Sequence, residues 1–234
     1  MAITWTIAGT DNSASDAQLP WVEVEENVFA HFGGGSTAVV ATYNPGTEDF
    51  TFTSAASPPW YPDTGYFAGV SRLADGRVFV SGGSSGLVET YIGTFAANDF
   101  TWVTSTPLPA AGITHAQVVL PDGRLFVLLM SAPFDGVAQL GTVSGDTVSW
   151  ASATGTPLDE PAKSYGACAT VLPDGRVLVV FGAYEMAFAT VSGGAVTWEA
   201  AAVSGGTYNT EAAYVSVEGR WDGSVLRGRG YGGN

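Results

Sequence analysis

The sequence predicts an all-β fold, a β-propeller of five blades, each a sheet of four antiparallel strands. Two independent markers that share one period predict the repeat, and the apolar pattern inside the period predicts the strands. The first marker is an Asp-Gly pair. Asp75, Asp122 and Asp174 stand 47 and 52 residues apart, and Asp222-Gly223 follows 48 later. The second is aromatic: Trp102, Trp150 and Trp198 are 48 apart, Phe52 precedes Trp102 by 50, and Trp5 precedes Phe52 by 47. Repeats of this length are the size of propeller blades.

Composition agrees. The chain has 234 residues, 46% hydrophobic and 13% charged, so a sizeable core is available. Gly 31 and Pro 12 supply turns, and Lys163 is the only lysine. That mix favours short strands over helices.

The third unit shows the four strands in order. "HAQVVLP" is strand A, and Asp122-Gly123 is read as a two-residue type I′ hairpin turn. "RLFVLLM" is strand B, "VAQLGTV" strand C, "SGD" a turn, and "TVSWAS" strand D. "LFVLLM" and its counterpart "VLVVF" are unbroken apolar runs, which means burial on both faces. "FTWVT" and "VTWEA" alternate, as an outer strand with one wet side does, with the Trp packed between blades. The blades fall at about 10–55, 56–105, 106–153, 154–201 and 202–234, in one domain spanning 1–234. "MAITWTIAG" has the strand D pattern with no A–C strands before it, so 1–9 is expected to close the last blade. Between Gly230 and Trp5 about seven residues are missing relative to the other units, so strand C of that blade should be short or absent.

The net charge is −14, from 22 acidic and 8 basic residues. Such a surface repels nucleic acid and anionic membranes. No Lys or Arg precedes Arg72, whereas Arg220, Arg227 and Arg229 cluster near the other end. Cys168 is the only cysteine, flanked by small apolar residues, and reads as an inert packed thiol. The first residues lack a basic n-region and a long apolar h-region, so no signal peptide is expected. No apolar run could span a bilayer.

The stretch "TWVTSTPLPAAGITHAQVVLPDGRLFVLL" resembles kelch-type repeats, with a strand D Trp, a Pro-rich link, a His before strand A, and Asp-Gly ahead of strand B. "LADGRVFVSGG" keeps the Gly-Gly that follows strand B in kelch units. "NVFAHFGGGSTAVVATYNPGTEDFTFTS" is similar to the loose propeller repeats of tailed-phage structural proteins. Five blades in so short a chain is also similar to tachylectin-type lectins, though no lectin motif matches. Kelch-like propellers occur in galactose-oxidase-type copper enzymes, whose site needs a Tyr cross-linked to Cys and two His ligands. His31 and His115 are the only histidines here and Cys168 lies inside a strand, so the resemblance does not extend to that site. Sialidases use an arginine triad and Asp boxes. "SGDTVSW" only hints at such a box, and three of the eight basic residues sit in Asp-Gly-Arg turns. No G-x-S-x-G elbow is present.

His115 and His31 read as hydrogen-bonded structural histidines near the ring axis. "DNSASD" at 11–16 has oxygens at alternate positions that could hold Ca²⁺, but it lacks the Gly and the distal Glu of a known loop and reads as a solvated turn. Glu23, Glu25 and Glu26 read as solvated or as facing a partner. Arg77, Arg124 and Arg176 should line one face, each paired with its own Asp or with a neighbouring blade. The strand D-to-A and B-to-C links share the opposite face and vary most between units, and variable loops on a rigid scaffold commonly carry function. Candidate ligand-binding residues there are Trp60, Tyr61, Asp63 and Tyr66; His115; Asp159, Lys163 and Tyr165; and Tyr208 and Asn209. Aromatics beside carboxylates and amides suit a sugar or a protein interface.

The expected function is a non-catalytic binding or assembly module, a component of a virion (phage head or tail) or of a surface structure, with no cofactor and no catalytic residue. A lectin using the loop aromatics is the alternative, and a small hydrolase or lyase a third. Expected partners are other structural proteins or surface glycans, with a homo-oligomer possible and no nucleic acid or membrane. The expected location is the virion or an extracellular surface structure, otherwise the cytoplasm.

Overall fold

The structure, a computed structural model, describes residues 21–32, 37–59, 68–82, 87–111, 114–130, 137–155, 167–181, 185–200, 215–219 and 225–229. They form β-strands and turns, with no helix among the described residues. The first sheet is β1 (Val22–Glu25), β2 (Val28–His31), β3 (Ala38–Asn44) and β4 (Asp49–Ala55). The second is β5 (Ala68–Arg72), β6 (Val78–Gly82), β7 (Thr90–Ala96) and β8 (Asp99–Thr104). The third is β9 (Thr114–Val119), β10 (Leu125–Met130), β11 (Val137–Ser144) and β12 (Thr147–Ser152). The fourth is β13 (Ala167–Val171), β14 (Val177–Phe181), β15 (Glu185–Ser192) and β16 (Ala195–Ala200). A hairpin of β17 (Val215–Gly219) and β18 (Val225–Arg229) follows.

Each four-stranded sheet is an antiparallel meander in chain order. The first strands of successive sheets lie side by side, β1 with β5, β5 with β9, β9 with β13, and β13 with β17. The expectation of five four-stranded blades is therefore met in part. There are four such sheets and one hairpin, and the described residues do not show a closed ring. The closing strand expected at 1–9 lies outside the described residues. The hairpin also departs in chemistry. β18 reads VLRGR, with Arg227 and Arg229 in a strand whose counterparts in units two to four are apolar over most of their length.

Burial follows the predicted division of labour. β6 is buried at every position, as are Leu125–Leu129 and Val177–Val180. Strands buried on both faces must be apolar at every position, which is why their sequences do not alternate. One face of β10 (Phe126 and Leu128) joins Val177 and Val179 of the fourth sheet in one cluster. The other face (Leu125, Val127 and Leu129) joins Phe79 and Ile92 of the second sheet. The outer strands alternate, with Phe100, Val148 and Val196 buried and Thr101, Ser149 and Thr197 exposed.

The period-marking tryptophans pack between sheets. Trp102 meets Phe32 of the first sheet edge-on at 5.4 Å. Trp150 meets Phe79 of the second at 6.0 Å, and Trp198 meets Phe126 of the third at 6.2 Å. Each tryptophan pairs across the ladder with a small residue of the sheet's third strand, Gly93, Gly141 or Ala189, and the Trp102 and Trp150 indoles lie over their glycines. The chain then crosses to the next sheet along that sheet's outer edge. Ala56 N–H donates to Asp99 Oδ1 at 2.6 Å, and its carbonyl accepts from Trp102 Nε1 at 2.9 Å. Thr106 Oγ1 accepts from Val148 N–H at 3.0 Å, and its carbonyl accepts from Trp150 Nε1 at 3.2 Å. Thr154 pairs in parallel with Ala195, and its carbonyl accepts from Val196 N–H at 2.8 Å. Three outer edges that would otherwise present open backbone groups are thus occupied in part.

The Asp-Gly turns differ from the expected type I′. Gly123 N–H bonds Leu120 O at 2.9 Å, and Leu120 N–H bonds Arg124 O at 2.7 Å. Only the glycine has positive φ, 85° at Gly123, 88° at Gly76 and 87° at Gly175. This is a type I turn closed by a left-handed glycine, the common three-residue hairpin loop. Pro121 and Pro173 suit its second position, because proline fixes φ where a type I turn needs it.

A Cβ on Gly93 would fall 2.6 Å from Trp102 Cζ3, and one on Gly141 would fall 2.7 Å from Trp150 Cζ3 and 2.8 Å from Val148 Cγ1. Gly141→Ala should therefore lower stability by about 1–3 kcal/mol, as overpacking of a tight core does. The exposed change Thr94→Ser should stay within about 0.5 kcal/mol. Urea unfolding followed by tryptophan fluorescence measures both.

Candidate functional site

Strand direction divides the described structure into two ends. Every turn from first to second strand, and from third to fourth, lies at one end, here the turn end. The links from second to third strand, and from one sheet to the next, lie at the other, the loop end.

The turn end is built from the repeated Asp-Gly-Arg. Asp75 Oδ1 accepts from Arg77 N–H at 3.1 Å, and Asp75 Oδ2 accepts from Arg77 Nε at 2.9 Å. Asp122–Arg124 and Asp174–Arg176 repeat both bonds. The arginine then reaches the next sheet. The Arg77 guanidinium donates to Asp146 Oδ1 at 2.7 Å and to Gly145 O at 2.9 Å, both in the β11–β12 turn. Arg124 donates to Gly193 O in the β15–β16 turn. Both expected pairings, own Asp and neighbouring sheet, hold at once. Arg176 differs. Its guanidinium lies 4.3 Å over the Phe188 ring of its own sheet, with Glu199 at 3.9 Å. Hydrogen bonds from the Arg77 and Arg124 side chains hold the Asp75 and Asp122 carboxyls below the ordinary aspartate range. At Asp174 the Arg176 backbone N–H is the leading cause, followed by its side chain. Cations this fully engaged hold the scaffold together and leave little to offer an anionic ligand.

At the loop end, Trp21 stands just ahead of β1, 48% exposed, with its ring 5.0 Å from that of His31 at the end of β2. His31 is 8% exposed, in keeping with a structural histidine. His115 is the second residue of β9, opposite Leu129, and half-buried Cys168 is the second of β13, opposite Val180. Both histidines and the cysteine therefore sit at the loop end of inner strands, in the first, third and fourth sheets. Among the described residues no group of three His, Cys, Asp or Glu side chains could hold a metal ion.

Nine of the ten candidate ligand-binding residues, Trp60, Tyr61, Asp63, Tyr66, Asp159, Lys163, Tyr165, Tyr208 and Asn209, lie outside the described residues. The strands that flank them place the three links that carry them at the loop end. The Asp11–Asp16 stretch also lies outside them. Glu23, Glu25 and Glu26 are exposed on and after β1.

One polar cluster had no signal in the sequence. Gln117 of β9 crosses into the second sheet, donating from Nε2 to Ser71 Oγ and Phe79 O, each at 3.1 Å. Its Oε1 accepts from the Ser81 hydroxyl. All three side chains are buried. A lone Gln in an apolar strand does not announce which backbone it will satisfy.

No protein-family model matches the chain, and no curated protein matches it. Among solved structures, a fungal alcohol oxidase of the AA5 family in complex with copper is similar, with TM-score 0.53 and 16% identity. The alignment covers 80% of this chain and 42% of the oxidase, so the chain spans less than half the length of that protein. Likeness at this identity speaks to the fold.

The clasp carboxylates titrate below their unfolded value. Their contribution is present above the ordinary aspartate range of about 3.9 and is lost as pH falls through the lower folded value. Being largely exposed, the Asp75 and Asp122 pairs are worth about 1 kcal/mol or less each. The double variant Asp75→Asn/Asp122→Asn should be less stable than the parent at pH 6 and lose stability less steeply between pH 5 and pH 2. Urea midpoints across that range test this, and parallel curves would contradict it.

Proposed function

We propose that the chain is a non-catalytic binding or assembly module, a five-bladed, kelch-like β-propeller that presents its loop end to a partner. The hairpin β17–β18 supplies the first two strands of the fifth blade, and the segment 1–9 supplies its outer strand. One observation carries the reading: the four-stranded sheet repeats from unit to unit, and its Asp-Gly-Arg turn repeats in the second to fourth sheets, while the strands that flank the non-repeating links meet them at the loop end. Rigid repeats below and variable loops above is how a scaffold is adapted to a partner without disturbing its core. The aromatic and amide-bearing links around Trp60, Tyr66, Tyr165 and Tyr208 suit a protein surface or a glycan, and the −14 charge argues against nucleic acid. A component of a virion or surface structure is the setting this combination favours.

The likeness to a copper-bound alcohol oxidase supports a second reading, a redox enzyme. Against it, His31 is buried with its ring against Trp21. The two histidines also belong to strands of non-adjacent sheets.

A glycan array separates a lectin from a protein-binding module, and variants locate the face. For whichever ligand is captured, Trp60→Ala and Tyr165→Ala should weaken binding at least about tenfold, as loss of an aromatic anchor does, while Arg124→Ala leaves binding unchanged. The converse pattern would move the site to the turn end. Copper retained in stoichiometric amount after loading and dialysis, with oxygen uptake on adding a primary alcohol, would replace the module by the oxidase.

A further inference from the structure

An Asp-Gly pair is chemically vulnerable, because glycine has no side chain to keep its amide nitrogen away from the aspartate side-chain carbon. The described residues hold this pair in three equivalent turns, at Asp75, Asp122 and Asp174. Two of the turns are the same pentapeptide, LPDGR, at 120–124 and 172–176. In each turn the glycine N–H donates to the carbonyl of the leucine three residues back, at 3.0, 2.9 and 2.9 Å. The aspartate side chains are equally open to solvent, 52%, 51% and 51% exposed. A difference in reactivity must therefore come from the arginine that holds each carboxylate.

Those arginines differ. Arg77 and Arg124 grip their aspartates through Nε and also through Nη2, which lies 2.7 Å from Asp75 Oδ2 and 2.6 Å from Asp122 Oδ2. Both are braced from behind by the following sheet, Arg77 on Asp146 and Gly145 O, and Arg124 on Gly193 O. Arg176 meets Asp174 through Nε at 2.7 Å, but its guanidinium rests on the Phe188 ring of its own sheet, with Glu199 at 3.9 Å. A ring face attracts a cation without pinning it along a bond. Arg176 is also the most exposed of the three, 35% against 21% and 25%.

We propose that Asp174-Gly175 is a site of spontaneous isomerisation, and that the braced arginines keep Asp75 and Asp122 in the aspartyl form. The Gly175 nitrogen attacks Asp174 Cγ and a C–N bond forms. The carboxyl group, protonated from solvent, gives up its hydroxyl, which leaves as water with the amide hydrogen, and a succinimide ring results. Water then adds to the Asp174 main-chain carbonyl and breaks its bond to the nitrogen. The product is isoaspartate, with no net change in mass. The attack requires the carboxyl to swing off residue 176 toward the glycine nitrogen. An arginine seated on a ring can follow that swing, whereas one bonded to the next sheet's turn holds the carboxylate back. Isoaspartate carries the main chain through an extra methylene, which disrupts the 2.8 Å bond from Leu172 N–H to Arg176 O and loosens the β13–β14 turn. The change is confined to the turn end and is independent of which ligand the loop end takes.

The test ages the folded full chain at neutral pH beside a synthetic Leu-Pro-Asp-Gly-Arg peptide that gives the unrestrained rate. Isoaspartate at each position is read by enzymatic isoaspartyl methylation and by electron-transfer fragmentation of the digested protein. It should form at least about threefold faster at Asp174 than at Asp122, as a hold weakened by part of one surface ion pair implies. Equal rates at the two identical pentapeptides, or a faster Asp122, would overturn the proposal. So would an Asp174 that stays unconverted while the peptide isomerises. Arg124→Ala should bring Asp122 up to the rate of Asp174 and leave Asp75 unchanged, and an unchanged Asp122 would again overturn it. The comparison of Asp122 with Asp174 in the wild type stands whether or not that variant folds.

Discussion

The rest of the structure depends on the packing of one sheet's outer-strand aromatic against an aromatic of the sheet before it. Phe32 with Trp102, Phe79 with Trp150, and Phe126 with Trp198 join four sheets that share no backbone ladder. Phe32, Phe79 and Phe126 are fully buried, and full burial of such a ring contributes roughly 1.5–3 kcal/mol. Other features follow from seating a large ring in this place. The residue beneath the indole has to be small. The indole N–H, entering a partly dry site, needs an acceptor, and the crossing segment supplies one in the second and third sheets. The apolar inner strands are the other half of the same constraint, since each is covered on both sides.

Polar interactions fix which neighbour is which. The Arg77 and Arg124 clasps tie turn to turn between consecutive sheets, and Gln117 ties the third sheet to the second in the core. A buried amide with every bond satisfied costs little in its own site and much in a wrong one. The clasps work at the surface, where they contribute little energy but considerable geometry. The scaffold is thus held by unspecific apolar pressure and ordered by a few directional bonds.

Much of this was legible in the sequence. The unbroken run of β10 and the alternation of β12 are direct imprints of two-sided and one-sided burial, so strand order could be inferred before any coordinates. The Asp-Gly-Arg pairing was legible as alternatives but not as a sum, because a sequence does not show that a guanidinium has enough donors to satisfy its own turn and the neighbouring one together. Asp-Gly serves two hairpin loops, so its presence alone does not fix the turn type, and Leu120 N–H bonding Arg124 O decides between them. The fifth unit was harder to read. Asp222-Gly223 keeps the turn signature, yet Arg227 and Arg229 break the apolar pattern that defined the inner strands. Of the candidate binding residues only His115 lies on a described strand. Loop residues obey no period, so spacing could say which end they occupy and nothing about how they converge.

The small residue beneath each indole has a consequence for how such a chain can change through descent. At Gly93 and Gly141 the partner ring lies closer than any side-chain carbon could tolerate, whereas the fourth sheet holds Ala189 opposite Trp198. Neither member of a glycine–tryptophan couple can drift alone: a larger residue below displaces the ring, and a smaller ring above opens a void. The second and third sheets therefore each carry a two-letter word whose letters are inherited together. Lineages of this repeat should show linked exchange at these two columns even where the rest of the sheet has diverged beyond recognition.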